Sequence, residues 1–141
     1  MAINFTISEL CRTATGIANI PGPIAVTNMQ KLIAGLELVR TLLGDKPIRI
    51  SSGFRSPAVN AAVGGSKTSA HVLGFAADFT CPAFGDPRDI VAAIAKSGIV
   101  FDQVIWEHPP GRNPWVHISF DPRARRQVLE YNGKSYTPFR G

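Results

Sequence analysis

A short part of the sequence, residues 51–79, carries three side chains of the kinds that proteins use for chemistry. They are Arg55, His71 and Asp78, and they stand among glycines, serines and alanines that would fill a core poorly. Asp78 falls inside an alternating stretch, GFAADFT, that is typical of a strand. An aspartate there needs a partner, because burying an unpaired carboxylate is very costly. We therefore expect this stretch to form part of a site.

His117 lies in a later stretch, WVHISF, where strand alternation places it on the same face as Ser119 and away from the apolar side. Together, His71, Asp78 and His117 offer two imidazoles and one carboxylate. With a fourth position left for water, these are the usual ligands of a catalytic zinc site. Non-haem iron uses the same ligand types. A salt-bridged aspartate with two unrelated histidines is a further interpretation that the residue types leave open.

Hydrophobic spacing predicts four helices, most of them early in the chain. The clearest has apolar residues at three- and four-residue intervals and ends at Gly44, with Thr27 or Asn28 as its N-cap. The other three are expected over residues 7–15 with Ser8 as N-cap, from about Pro57, and from Asp86 and Pro87 to Gly98.

Strand signals dominate the last third of the chain. Alternation predicts strands over residues 48–51, 74–80, 102–107 and 115–120, with Asp102 and Asp121 at strand ends. The segments QVLEY and KSYTPF flank Asn132 and Gly133, which together are a strong hairpin signal. Because helices cluster early and strands late, we predict an α+β fold with helices packed on a central antiparallel sheet. No internal repeat divides the sequence, so we expect one domain over residues 1–141.

The chain has 141 residues and a formal net charge of +5, which suits an acidic partner. Nucleic acid, an anionic membrane surface and an anionic cell-wall polymer all fit that description. No recognition motif for nucleic acid accompanies the charge, so we expect no such partner. A solvated basic face is an equally good interpretation of the basic residues near the C-terminus, which are Arg123, Arg125, Arg126, Lys134 and Arg140.

Two further features bound the class of protein. No apolar run approaches the roughly 20 residues that span a bilayer, and the first residues lack the basic and apolar regions of a signal peptide. We therefore expect a chain without a membrane span that is made in the cytoplasm. Cys11 and Cys81 are far apart and are expected to be reduced, partly buried thiols.

Four segments, SGFRSPAVN, SAHVLGFAADF, IWE and WVHIS, resemble the zinc D-Ala-D-Ala carboxypeptidases and their relatives. That superfamily includes dipeptidases, phage endolysin peptidases and the Hedgehog signalling domain. The pattern S-x-H-x-x-G-x-A-x-D is complete from Ser69 to Asp78. The opening segments FTISEL and TNMQKLIAGLELVRTLLG are similar to the small, often phage-encoded branch. The resemblance covers nearly the whole chain and implies the α+β fold of that superfamily.

The resemblance implies one zinc ion held by His71, Asp78 and His117. It also implies that Arg55 grips the C-terminal carboxylate of the substrate, which suits the fork geometry of a guanidinium group. A structural salt bridge is the other interpretation of this arginine. Ser69 is expected to support the site by a hydrogen bond, either to the substrate or to the loop around His71, or else to be a simple turn residue.

The general base does not stand where several relatives carry it. Their carboxylate lies three residues before the last histidine ligand, and here that position is Pro114. We predict that Glu107 takes the role, because a hairpin can bring its strand end beside His117; a surface glutamate is the alternative. Trp115 is expected to form one wall of the cleft. His108 is expected to be an exposed loop histidine, although it could instead line the cleft.

By this resemblance, the chain hydrolyses a peptide bond in peptidoglycan stem peptides with a metal-activated water. Both a D-Ala-D-Ala carboxypeptidase and an endolysin-type endopeptidase fit the pattern. The alternative is a non-catalytic, metal-containing module of the same fold that binds the cell wall or builds a virion. Without a signal peptide, a wall hydrolase would reach its substrate through a holin or a dedicated export route, or as part of a phage particle.

Overall fold

A computed structural model describes residues 4–140 of the chain. In chain order, its helices and strands are α1 (Ile7–Leu10), α2 (Pro23–Leu42), β1 (Arg49–Ser52), α3 (Pro57–Ala62), α4 (Ala70–Leu73), β2 (Ala76–Thr80), α5 (Pro87–Ala95), β3 (Gln103–Glu107), β4 (Trp115–Ser119), β5 (Gln127–Tyr131) and β6 (Tyr136–Pro138). Within residues 4–140, no helix is long and apolar enough to cross a membrane.

The strands form one sheet in the order β1-β2-β4-β3-β5-β6, and its two faces differ in chemistry. One face belongs to the hydrophobic core, together with the apolar stripes of α2 and α5. Its central side chains are fully buried and come from alternate strand positions: Phe79, Val104, Val116 and Ile118. Asp78 and His117 therefore lie on the opposite face, which confirms the alternation expected for these strands. This second face carries the site.

The sheet is mixed, so the expectation of an antiparallel sheet is wrong, although the α+β class is confirmed. β3 and β5 are parallel, with Gln103 opposite Gln127 and Glu107 opposite Tyr131, while the other pairings are antiparallel. The cause is the position of β4, which pairs with β3 on one edge and with β2 on the other. The chain leaving β4 returns along the free edge of β3, and that route makes β5 parallel to β3.

The long helix α2 begins earlier than the sequence pattern predicts. Its first residue is Pro23 and its N-cap is Gly22, so the expectation of Thr27 or Asn28 as N-cap is wrong. Proline is well suited to the first helical position. A backbone N–H there has no partner within the helix, so proline loses nothing by lacking one, and its φ is already close to the helical value.

The short helices show one miss and one success. The N-cap of α1 is Thr6, whose hydroxyl accepts a hydrogen bond from the backbone of Glu9, so Ser8 was the wrong expectation. The helix α5 begins after Asp86 as expected. Asp86 and Asp89 bond each other's backbone in a reciprocal capping box, which explains why this helix start is so clear in the sequence.

Basic residues near the C-terminus are largely engaged inside the molecule. Arg125 donates side-chain hydrogen bonds of 2.8 and 2.7 Å to Asp102, which is only 1% exposed. Arg123 donates one of 2.9 Å to Asp121, and Arg126 bonds two backbone carbonyls after α5. The hydrogen bonds from Arg125 hold the pKa of the Asp102 carboxyl well below its usual range. These arginines thus anchor the crossover between β4 and β5.

Candidate active site

Three potential metal ligands meet on the polar face of the sheet. Asp78 on β2 and His117 on β4 are direct cross-strand partners, and α4 brings His71 to them. Asp78 Oδ1 lies 3.1 Å from His117 Nδ1 and 3.2 Å from His71 Nε2. One ligand atom from each of the three residues lies within 4.8 Å of the others. The structure therefore brings together the set that the sequence suggested.

The tautomer of His71 suits metal binding. Its Nδ1 lies 2.7 Å from the carbonyl oxygen of Gly53. A carbonyl only accepts, so Nδ1 carries the proton and Nε2 keeps its lone pair when the ring is neutral. That lone pair faces Asp78 Oδ1, an arrangement that repels unless a cation or a proton lies between the two atoms. A histidine that binds a metal through one ring nitrogen usually donates a hydrogen bond from the other nitrogen, as His71 does to the carbonyl of Gly53.

The ionisation of Asp78 suits a metal ligand. Burial raises the pKa of Asp78, but the positive charge of His71 and the hydrogen bonds from both histidines outweigh it and hold the pKa well below its usual range. Burial lowers the pKa of His117, and the bond to Asp78 reverses this so that the net direction is upward. The carboxylate is thus ionised, as a metal ligand must be. Two histidines and one aspartate fit zinc, which prefers nitrogen and oxygen ligands in this number.

Arg55 lies beside the three potential metal ligands, and three hydrogen bonds fix the orientation of its guanidinium group. It donates hydrogen bonds from Nε to Ser52 Oγ (3.0 Å), from Nη1 to Asn60 Oδ1 (3.4 Å) and from Nη2 to Asp78 Oδ2 (3.2 Å). A guanidinium group has five N–H donors, so one remains on each terminal nitrogen. A Cβ added at Gly65 would clash with Asn60 Oδ1 and would lie 3.1 Å from Arg55 Nη1. A larger residue at position 65 would therefore displace the Asn60 oxygen that accepts a hydrogen bond from Arg55.

Ser69 is the N-cap of α4, the helix that carries His71. Its hydroxyl accepts a hydrogen bond of 3.1 Å from the backbone N–H of His71. The bond is therefore to the segment around His71, which was one of the interpretations that the sequence left open. His71 itself stands on a helical turn rather than in a loop.

Glu107 and Trp115 form a cross-strand pair on β3 and β4. Trp115 Nε1 donates a hydrogen bond of 2.9 Å to Glu107 Oε2, so one carboxylate oxygen is oriented and the other is left without that donor. Burial, followed by the negative charge of Asp78, raises the pKa of Glu107 above its ordinary value. A carboxylate with a raised pKa accepts a proton more readily, as a general base must.

One cleft of about 1200 Å³ joins these residues. The seven site residues predicted from the sequence all line it: Arg55, Ser69, His71, Asp78, Glu107, Trp115 and His117. His108 is held elsewhere, with its ring 4.0 Å from that of Trp106 and its Nε2 3.4 Å from Glu130 Oε2. His108 therefore does not line the cleft that contains His71 and His117.

Sequence reasoning missed the far side of the cleft. Arg112 lies over Trp115, with its guanidinium carbon 4.6 Å from the ring centroid, and Ile105, Tyr131 and Tyr136 also line the cavity. A usable signal exists for Ile105, which alternates with Glu107 along β3 and must share its face. The two tyrosines reach the cleft only through the parallel pairing of β5, which the sequence did not indicate.

Comparison with known proteins places the chain in a family. Residues 3–119 match the family described as Peptidase M15, and the chain belongs to it. It is also 31% identical over 119 residues to the zinc D-Ala-D-Ala carboxypeptidase of Streptomyces albus G. That alignment covers 83% of this chain and 46% of the relative, so it spans less than half of the relative's length. The resemblance drawn from the sequence is confirmed, while the phage-encoded branch stays a prediction.

Proposed function

We propose that this chain is a zinc-dependent peptidase that hydrolyses a peptide bond in peptidoglycan stem peptides. His71, Asp78 and His117 hold the ion in this proposal. One observation carries it: the three donor atoms converge, within 4.8 Å, in the same cleft as a half-buried glutamate whose pKa is raised. The carboxypeptidase from Streptomyces albus G supports the choice of zinc and of a D-Ala-D-Ala type of substrate.

The protein's own residues divide the work of hydrolysis. A zinc ion held by the three ligands would polarise the scissile carbonyl and lower the pKa of the attacking water. Glu107 accepts a proton from that water and then donates it to the nitrogen of the leaving amine. Trp115 keeps Glu107 in position through its 2.9 Å hydrogen bond and forms a wall of the cleft beside it.

Arg55 positions the substrate. Within residues 4–140, one N–H group on each of its two terminal nitrogens makes no hydrogen bond to protein. A carboxylate of the substrate takes these donors as a charge-assisted pair, and a C-terminal D-alanine offers such a group. Ser69 supports the site through the backbone of His71 and lies in the cleft wall, where its hydroxyl can also meet the substrate.

A non-catalytic wall-binding or virion module is less well supported. Such a module would have no use for a half-buried glutamate, oriented by a tryptophan, beside an intact ligand set. In the proposed role the chain acts as one catalytic domain on the wall. The expectation that it reaches the wall through a holin or as part of a phage particle stays a prediction, and the net charge of +5 suits a polyanionic wall.

Digestion of purified peptidoglycan tests the proposal. The zinc-loaded chain, the chain with chelator, and the chelated chain with zinc restored are compared, and mass spectrometry identifies the released pieces. We expect products only with zinc. Free D-alanine would identify a carboxypeptidase, and cleaved cross-links or stems would identify an endopeptidase. No product from the zinc-loaded chain would overturn the proposed function.

A further inference from the structure

The C-terminal hairpin lies beyond the part of the chain that matches the family, which ends at residue 119. This hairpin consists of β5 and β6, residues 127–138. It nevertheless supplies part of the wall of the cleft, through Leu129, Tyr131, Gly133 and Tyr136. The features of the cleft that the family match does not account for are therefore concentrated in this segment.

Two tyrosines of the hairpin stand in register with the proposed base. Glu107 on β3 is opposite Tyr131 on β5, and Tyr131 is opposite Tyr136 on β6. The two tyrosine rings are stacked, with centroids 4.4 Å apart and an interplanar angle of 26°. Tyr136 is 56% exposed and lines the same cleft as Glu107.

The hairpin tip is closed by hydrogen bonds and packs closely against a neighbouring loop. Asn132 Oδ1 accepts hydrogen bonds from the backbone N–H of Lys134 (2.9 Å) and Ser135 (3.0 Å). Gly133 has a φ of +97°, and a Cβ there would lie 2.9 Å from the ring of Pro110. The tip therefore rests against the loop that follows Glu107, and only glycine allows both the conformation and the close approach.

Strand spacing sets the distance between this wall and the chemistry. Neighbouring strands lie about 4.8 Å apart, so β5 is roughly 10 Å, and β6 roughly 15 Å, from the strand of His117. Arg55 follows β1, on the other side of the metal ligands. A substrate anchored there by its carboxylate extends away from Arg55 toward the hairpin. Because an extended peptide advances about 3.3–3.6 Å per residue, it reaches the tyrosines about three or four residues past the strand of His117.

We propose that Tyr131 and Tyr136 form a subsite for the third and fourth residues before the scissile bond, so that the enzyme selects long stem peptides over short D-Ala-D-Ala substrates. The inference rests on the proposed function and deepens it. The stacked rings offer a flat apolar surface to the carbon atoms of the substrate. The cleft, at about 1200 Å³, exceeds the roughly 300–1,000 Å³ that small ligands occupy.

The test compares two zinc-dependent substrates, N-acetyl-D-Ala-D-Ala and a stem pentapeptide that ends in D-Ala-D-Ala. We expect the wild type to favour the pentapeptide in kcat/KM, and Tyr136→Ala to reduce the ratio between the two substrates about 10-fold through lost apolar contact. Tyr136→Phe keeps the ring and should retain the ratio. Val100→Ala, at an exposed apolar residue outside the cleft, is the matched control.

A binding measurement separates this inference from the proposed function. In the Glu107→Gln background, calorimetry gives the Kd of the pentapeptide with and without Tyr136→Ala, and we expect about 10-fold weaker binding without the ring. No hydrolysis by the zinc-loaded wild type would sink the proposed function, and the subsite would then be judged on binding alone. If Tyr136→Ala lowers Tm but leaves both the substrate ratio and the Kd unchanged, the tyrosines only stabilise the hairpin and the inference is wrong.

Discussion

Trp115 Nε1 donates a 2.9 Å hydrogen bond to Glu107 Oε2 across β4 and β3. Trp115 lies two residues before His117 on β4, and the cross-strand partner of His117 is Ile105, two residues before Glu107 on β3. The donor thus fixes the proposed base on the same face as the metal ligands. It also stabilises the ionised form of Glu107 and opposes the effect of burial on its pKa.

Trp115→Phe should therefore act as a change in a positioning residue. The phenyl ring keeps an aromatic wall but cannot donate, so kcat/KM should fall about 10-fold for the lost charge-assisted bond. Loss of the donor also raises the pKa of Glu107, and the acid limb of the pH profile of kcat/KM should move to higher pH. A lower rate with an unmoved acid limb would mean that the tryptophan only shapes the wall.

Arg55→Ala should weaken turnover of substrates that end in a carboxylate. A hydrogen bond to a charged group contributes about 1.5–3 kcal/mol, which corresponds to a loss of about 10- to 150-fold in kcat/KM. Arg49→Ala removes the same charge from an exposed residue outside the cleft and serves as the control. A rate for Arg55→Ala equal to that of the control would leave this arginine with a structural salt bridge only.

The three histidines allow a matched test of metal binding. Zinc at about 1,000 times its Kd should stabilise the wild type by about 4 kcal/mol and raise Tm by about 10 °C. His108→Ala lies outside the cleft and should keep this rise and a stoichiometry of one zinc per chain. His71→Ala should lose both. Elemental analysis and thermal unfolding provide the readouts, and equal zinc content in the two variants would remove His71 from the ligand set.

The ion pair between Asp102 and Arg125 should make the free energy of unfolding depend on pH. Its pKa is depressed in the folded protein by Arg125, so its stabilising effect is present above the unfolded pKa of about 3.9 and is lost as the pH falls through the lower folded value. Asp102→Asn should lower the free energy of unfolding by about 2 kcal/mol at pH 7. The gap between the wild type and this variant should shrink below about pH 4.

Urea unfolding at pH 7 and at pH 3 measures that gap. Asp45→Asn, at an exposed carboxylate, is the control and should change little at either pH. A gap for Asp102→Asn that is as large at pH 3 as at pH 7 would show that the ion pair with Arg125 is not its source.

Much of the site was predictable because its signals are local. The spacing between Ser69 and Asp78 is fixed by one helical turn and the start of one strand, and alternation alone separates His117 from its apolar neighbours. The Asp86 capping box also lies within four residues. Such short-range patterns can be recognised in the sequence without knowledge of the fold.

The features that were missed depend on long-range pairing. The parallel alignment of β5 with β3 follows from β2 already covering the second edge of β4, which no local pattern reveals. Tyr131 and Tyr136 reach the cleft only through that alignment. The bond between Asp102 and Arg125 likewise joins residues 23 positions apart, so Asp102 looked like an ordinary strand end.

The most direct test of the central claim is the activity of Glu107→Gln with zinc bound. Glutamine keeps the size of the side chain but cannot accept a proton from water, and general base catalysis contributes about 10²–10⁴-fold. We predict a normal zinc content by elemental analysis and a fall in peptidoglycan stem hydrolysis of about 10³-fold. A hydrolysis rate of the zinc-loaded variant within about 3-fold of the wild-type rate would contradict the account, because loss of a general base should lower the rate by at least about 10²-fold.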